Sequence, residues 1–338
     1  MIDSRKTAST INPEQLKSWL PVDAIIDQGR PALTWMDFSD VVLTEPFFHE
    51  TVERLLAIQK HPTQITELDA LLQLEKISDH LQPSAFVFHS SRCGSTLVAN
   101  ACRALDGSIV VSEAPVIDKL VSRFFTDAGP SSGKEMLYLV LVKAAISAFG
   151  QRRLGNEKHF FVKFACTSSL QMSRLRRIFP TVPFVFLYRD PVEVMVSNLR
   201  SIPQWMRPES NPATAAAIAD VELNQVDAIG PEEFCGRVLG RFFSEADSNR
   251  DSNTSLINYN RLSPELITEL IRSFGIEPSV RESSTIQKVT RLYSKDPNRT
   301  QTFVSDSESK RSSASPLIIE MARKWAMRSY ERLNTSKL

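Results

Sequence analysis

Five short apolar runs, each separated from the next by a helical pattern, constrain the fold of this 338-residue chain more than any other feature. The runs are continuous rather than alternating, which is typical of strands that are buried on both faces. They span 85–89, 108–112, 159–165, 183–188 and 254–259. Helical patterns occupy 95–105, 115–126, 134–149, 168–179 and 191–200. This order predicts an α/β fold with a P-loop-like parallel sheet flanked by helices.

Two domains are predicted, with the boundary after Pro83. Apolar residues recur at helical spacing in 49–59 and 65–81, so residues 1–83 are predicted to form an N-terminal helical extension. Residues 84–338 would then form the α/β domain. Within it, the polar segment 295–316 is predicted to be a loop, and the chain is predicted to close with a helix.

The charge balance argues against nucleic acid or a membrane surface as a partner. Lys and Arg total 40 and Asp and Glu total 39, so any anion site must be a local cluster of cations.

The four cysteines form no CxxC pair, which indicates a reducing compartment. The first residues contain no apolar signal core, and the apolar stretch 136–150 is too short for a membrane anchor. A cytoplasmic protein is therefore expected.

The stretch "FVFHSSRCGSTLVANACRAL", residues 86–105, has the strand, small-residue turn and helix of a phosphate cradle. The backbone N–H groups of Gly94, Ser95 and Thr96 would point at an anion. Arg92 would add a positively charged guanidinium with paired N–H donors. Cys93 is interpreted as a small packing residue of the same turn. The lysine of a Walker A motif is missing. A serine-rich helix cap without a ligand is the alternative.

A second strand–turn–helix unit, "FVFLYRDPVEVMVSNLR", spans 184–200. Asp190 can cap the helix that begins at Pro191. Arg189 lies at the carboxyl end of the strand, where open α/β sheets bind ligands, and Ser197 lies two turns into the helix. Together they suit a phosphate dianion, although an Arg–Asp surface pair would also explain the pattern.

Taken in order, "SSRCGSTL", "SEAP", "FVKF" and "FPTVPFVFLYRDPVEVMVSNLR" resemble the PAPS-dependent sulfotransferases, closest to the tyrosylprotein and bacterial branch. The resemblance covers about 85–275. It implies the sulfotransferase fold, PAPS as the co-substrate, PAP as the product, and no metal. The first turn resembles the family's loop for the 5′-phosphosulfate, and the second its site for the 3′-phosphate. Tyr259 and Leu262 resemble part of the family's late strand–helix segment, and Tyr259, like Cys93 of the first turn, is a candidate cofactor-binding residue.

The resemblance also suggests catalytic roles. Glu113 resembles the general base of the tyrosylprotein branch, although a carboxylate that favours the helix after Pro115 is the alternative. Lys163 lies inside an apolar strand and could reach the sulfuryl group together with Arg92, unless its head lies in solvent at the sheet edge. His89 is interpreted first as a strand-end residue and second as a base.

Lys310 and Arg311 are basic residues of the polar segment near the C-terminus. Basic residues in this part of sulfotransferases often close over the nucleotide, so both are candidate cofactor-binding residues. A solvated loop is the alternative.

The favoured function is in-line transfer of a sulfuryl group from PAPS to a hydroxyl or amine of a small molecule or peptide. A P-loop kinase is a second interpretation, and the absent Walker lysine argues against it. A non-catalytic nucleotide-binding protein with the same fold is the third. No motif identifies the acceptor or the oligomeric state.

Overall fold

The structure is a computed structural model that describes residues 12–126, 133–290 and 306–335. Its strands are β1 (Trp19–Asp27), β2 (Arg30–Asp37), β3 (Thr63–Glu67), β4 (Ala85–His89), β5 (Ser108–Ser112), β6 (His159–Lys163), β7 (Phe184–Tyr188) and β8 (Thr254–Asn258). Its α-helices are α1 (Phe48–Ile58), α2 (Asp69–Ile77), α3 (Ser95–Arg103), α4 (Pro115–Thr126), α5 (Glu135–Phe149), α6 (Met172–Ile178), α7 (Pro191–Arg200), α8 (Pro212–Ala219), α9 (Pro231–Ser248), α10 (Pro264–Ser273), α11 (Val280–Thr290), α12 (Ser307–Ser312), α13 (Pro316–Ala322) and α14 (Arg328–Thr335).

The central sheet is parallel and has the strand order β5-β6-β4-β7-β8. Strand β4 lies between β6 and β7, so the chain leaves the middle of the sheet in both directions. The side chains of β4 and β7 are buried throughout, as their continuous apolar sequences predict. The predicted α/β fold with a helix-flanked parallel sheet is confirmed.

The predicted helical extension at the N-terminus is wrong in part. Helices α1 and α2 form as expected, but β1, β2 and β3 make a three-stranded antiparallel sheet, and β3 takes the start of the predicted helix 65–81. A hairpin joins β1 to β2 through Gln28 and Gly29, whose φ angles are both positive, 46° and 80°. Trp35 of β2 packs into the same hydrophobic core as Phe86 of the parallel sheet. The domain boundary itself stays a prediction.

The prediction of a loop at 295–316 is wrong for part of the segment that the structure describes. Residues 291–305 lie outside the described residues, and Ser307–Ser312 forms the helix α12. This helix is charged, and an ion pair of 2.7 Å joins Asp306 to Lys310 at its start. Because α12 contains no apolar residues, its sequence has no apolar periodicity that would indicate a helix.

The chain ends in the predicted helix, which runs from α13 through a π-helical turn at Arg323–Met327 into α14. Among the described residues, none of the helices combines the length and the hydropathy that crossing a bilayer requires.

Helix α9 packs against the π-helical turn through two glycines. A Cβ atom on Gly240 would overlap the backbone carbonyl of Trp325, and one on Gly236 would lie 3.0 Å from that of Met321. Gly240→Ala is therefore expected to lower the free energy of unfolding in urea by about 3 kcal/mol, because backbone must move. Gly230→Ala is a control without such an overlap, since its Cβ would meet nothing closer than 3.7 Å, and it should lose only about 1 kcal/mol, because Gly230 is the N-cap of α9. Equal stability of the two variants would contradict this account of the packing.

Candidate active site

A cavity of about 450 Å³ opens at the carboxyl ends of the parallel strands. Each strand of that sheet contributes to its lining: the loop 90–94 follows β4, Glu113 follows β5, Lys163 ends β6, Arg189 follows β7, and Tyr259 follows β8. Open α/β sheets bind their ligands at this edge, next to the strand where the order reverses. The cavity is therefore the candidate active site.

The loop 90–94 has the backbone of an anion-binding turn. Ser91, Arg92 and Gly94 have positive φ angles of 72°, 50° and 83°. Turns with residues in this left-handed region are common in anion-binding loops, and α3 begins immediately afterwards, so its N-terminus at Ser95 faces the same turn. A Cβ on Gly94 would come within 2.6 Å of the Leu262 side chain, so glycine is required there.

Asn198 joins the two predicted anion turns. Its buried Oδ1 accepts from Ser91 Oγ at 3.2 Å and from Arg92 Nε at 3.3 Å. Arg92 also donates to the carbonyl of Ser201 at 3.2 Å. No sequence pattern indicated Asn198, although it directly follows Ser197 on α7. Through it, the first turn and the helix of the second turn are held as one unit.

Glu113 and Lys163 form a close ion pair at one side of the cavity. The Glu113 N–H also donates to the carbonyl of Lys163 at 2.8 Å, which extends the ladder of β5 and β6. The Lys163 side chain is only 1% exposed, so the alternative of a lysine with its head in solvent is wrong. Glu113 has a φ of 52°, a costly conformation for a residue with a side chain, and such strain tends to occur at functional sites.

His89 faces the same carboxylate. Its Nε2 lies 3.5 Å from Glu113 Oε1, and its Nδ1 accepts from the Ser91 N–H at 3.1 Å. That second contact assigns the proton of a neutral ring to Nε2, toward Glu113. In this arrangement the Nε2 proton of a neutral His89 ring would be directed toward the Glu113 carboxylate.

The electrostatics of this group keep Glu113 ionised. Burial alone would raise the pKa of Glu113, but the Lys163 ammonium and the contact with His89 outweigh it, so the pKa lies well below its ordinary value. Asp118, on α4, shows the opposite effect: burial and the negative charge of Glu113 raise its pKa to about 7. Asp118, which no sequence pattern indicated, accepts from the Ala165 N–H at 3.4 Å.

Arg189 lies at the centre of an ion-pair network. Its Nε donates to Glu193 at 2.6 Å, and its Nη2 donates to Asp306 at 2.7 Å. Its guanidinium carbon lies 4.0 Å from the centroid of the Tyr259 ring. Lys310 Nζ contacts the other oxygen of Asp306 at 2.7 Å. The Asp306 carboxylate therefore lies between two of the cations that were predicted to bind the nucleotide.

The remaining predicted residues divide into two groups. Ser95, Thr96 and Ser197 line the cavity, and so does Cys93, whose buried thiol donates to the carbonyl of Leu187. Arg311 is not among the lining residues, because it pairs with Asp190 and Glu193 on the side of α7. The prediction that Arg311 reaches the nucleotide site is not supported by this arrangement.

Positive charge exceeds negative charge in the cavity lining. Two lining residues are carboxylates, Glu113 and Asp306. The cationic lining residues are Arg92, Lys163, Arg189, Arg200 and Lys310. The cavity is thus suited to a ligand with several negative charges. Within the described ranges, no group of three or more His, Cys, Asp or Glu side chains is arranged to hold a metal ion.

No protein-family model matches this chain, and no curated protein is significantly similar to it. Among solved structures, the sulfotransferase domain from the curacin biosynthetic pathway is 11% identical, with a TM-score of 0.41 over 73% of this chain and 98% of that one. The sulfotransferase domain of the Synechococcus PCC 7002 olefin synthase is 14% identical, with a TM-score of 0.37; the match covers 73% of this chain and 96% of that one. A mouse sulfotransferase crystallised with PAP is 11% identical, with a TM-score of 0.34; the match covers 77% of this chain and 82% of that one.

Proposed function

We propose that this protein transfers a sulfuryl group from PAPS to a hydroxyl or amine acceptor. The observation that carries the proposal is one cavity that joins an anion-binding turn, a second cation at Arg189 and the carboxylate of Glu113. The ordered sequence motifs that resemble PAPS-dependent sulfotransferases support the same function. The lack of a lysine between Gly94 and Ser95 disfavours a nucleoside triphosphate.

PAPS, when bound, would supply the sulfuryl group on its 5′-phosphate. The loop 90–94 and Arg92 are suited to the phosphosulfate, because they offer N–H donors and a fixed charge. Arg189 and Ser197 would hold the 3′-phosphate, with Lys310 as a further cation near Arg189. An anion that reaches Arg189 must compete with Asp306 for the same guanidinium.

Glu113 would take the proton from the acceptor while the acceptor oxygen or nitrogen bonds to sulfur. The bond from sulfur to the phosphate oxygen breaks in the same step, and PAP leaves. Lys163 and Arg92 would stabilise the charge on the sulfuryl and phosphate oxygens. A negative donor beside Lys163 would also offset the charge that lowers the pKa of Glu113, so the carboxylate becomes a stronger base when the donor is bound.

Transfer from PAPS can be tested without knowledge of the natural acceptor. The protein would be incubated with sulfur-labelled PAPS and a panel of phenols, aliphatic alcohols, amines and tyrosyl peptides, with products read by mass. We expect label on at least one class, and much less with Glu113→Gln. Binding of PAP without label on any class would support the non-catalytic nucleotide-binding alternative instead.

A further inference from the structure

We propose that Phe47, from the N-terminal segment, forms an apolar wall of the acceptor subsite, and that the acceptor presents an apolar surface next to its reacting group. This inference rests on the proposed function, because it takes Glu113 as the group that meets the acceptor. It gives the N-terminal segment a part in the active site, which the sequence patterns of 1–83 did not indicate.

Among the described residues before β4, Phe47 lines the cavity. The centroid of its ring lies 5.0 Å from Lys163 Nζ, so it lies beside the Glu113–Lys163 pair. Cys166, an almost fully buried residue, also lines the cavity, and burial together with the negative charge of Glu113 raises the pKa of its thiol. An acceptor that reaches Glu113 would therefore meet an aromatic ring and a thiol beside the charged pair.

The position of Phe47 is fixed from several directions. Its neighbour Phe48 is buried and packs edge-on against Phe149 at 5.1 Å between centroids. Just before it, Glu45 accepts from Thr51 Oγ1 at 2.6 Å and pairs with Arg54. These contacts anchor both sides of Phe47 to α1 and the core. The ring is thus a preformed wall rather than a side chain on a free loop.

Arg103 ties this segment to the strand that carries Glu113. Its Nη2 donates to the carbonyl of Pro46 at 3.3 Å and to Ser112 Oγ at 3.0 Å. Pro46 directly precedes Phe47, and Ser112 directly precedes Glu113. One guanidinium therefore bridges the residues that precede the proposed wall and the proposed base.

The test uses the full chain with 2-naphthol, a fluorescent hydroxyl compound with an apolar ring, added to protein saturated with PAP. Phe47→Ala should weaken 2-naphthol binding about tenfold, because a ring contact is lost, and leave PAP affinity within about twofold. Phe47→Leu, which keeps an apolar wall, should lose less. Ile58→Ala is the matched control, since Ile58 is an exposed apolar residue of α1 outside the cavity lining.

Unchanged 2-naphthol binding in Phe47→Ala, or an equal loss of PAP binding, would overturn the proposal. If wild type binds PAP but not 2-naphthol, the apolar subsite is wrong and the donor assignment stands. If wild type binds 2-naphthol through Phe47 but does not bind PAP, Phe47 is part of an apolar binding surface, but the proposed function fails and with it the acceptor role of that surface. If neither compound binds, both are wrong.

Discussion

Glu113→Gln is expected to lower the rate of sulfuryl transfer by roughly 10²–10⁴-fold at saturating PAPS, the usual contribution of a positioned base. Glutamine keeps the shape of the side chain and can still accept a hydrogen bond, but it does not take up the proton. PAP affinity should stay close to wild type or improve, because a negative charge is removed from a cavity that binds anions. Single-turnover transfer of labelled sulfate measures the effect.

A loss of stability must be separated from this loss of rate. Lys163 is 1% exposed and Glu113 is 28% exposed, so glutamine leaves a buried ammonium with a weaker partner. We expect the free energy of unfolding to fall by ~1–3 kcal/mol, less than for a fully buried pair. Stabilisation of the variant by PAP would show that it is folded. A rate within a few-fold of wild type would mean that Glu113 is not the base, and His89 would be tested next.

Arg189→Ala is expected to weaken PAP binding by ~2–5 kcal/mol, roughly 30-fold to several thousand-fold. Arg189 would contact a phosphate that does not react, so its contribution is equal in the ground state and the transition state. Turnover at saturating PAPS should therefore change little. A titration calorimeter measures the affinity. A fall in saturated turnover with unchanged affinity would contradict this role.

Asp306→Asn is expected to change PAP affinity in the direction opposite to Arg189→Ala, and it serves as a control for that variant. The Asp306 carboxylate contacts both Arg189 and Lys310 at 2.7 Å, and it would compete with a bound phosphate. Asparagine removes the competing charge, so PAP should bind a few-fold more tightly. The gain is expected to be modest, because half of the Asp306 side chain is exposed and its charge is screened.

Much of the fold could be predicted because buried parallel strands have continuous apolar sequences. The predicted strands 85–89 and 108–112 match β4 and β5, and the helix that begins at Pro191 was marked by a capping Asp190. The N-terminal sheet was missed because Gln28 and Gly29 are a less usual hairpin pair than Asn-Gly. The helix α12 was missed because charges rather than apolar periodicity define it.

The residues of the candidate site that directly follow strands could be predicted from the sequence. Residues that follow parallel strands meet at one edge, so Arg92, Glu113, Lys163 and Arg189 could be grouped from sequence alone. The partners of these residues come from distant segments and have no local pattern. Those that the sequence did not indicate are Phe47, Asp118, Asn198 and Asp306.

Binding of PAP against ATP tests the central claim most directly, because it requires no knowledge of the acceptor. Melting temperature would be measured with PAP, with ATP and magnesium, and with buffer alone. A ligand that binds the native state raises the melting temperature, and the rise grows with the logarithm of its concentration divided by its Kd. The two separated anion sites predict a clear rise with PAP and a much smaller one with ATP. An equal rise with ATP and magnesium, or no rise with PAP, would contradict PAPS as the donor.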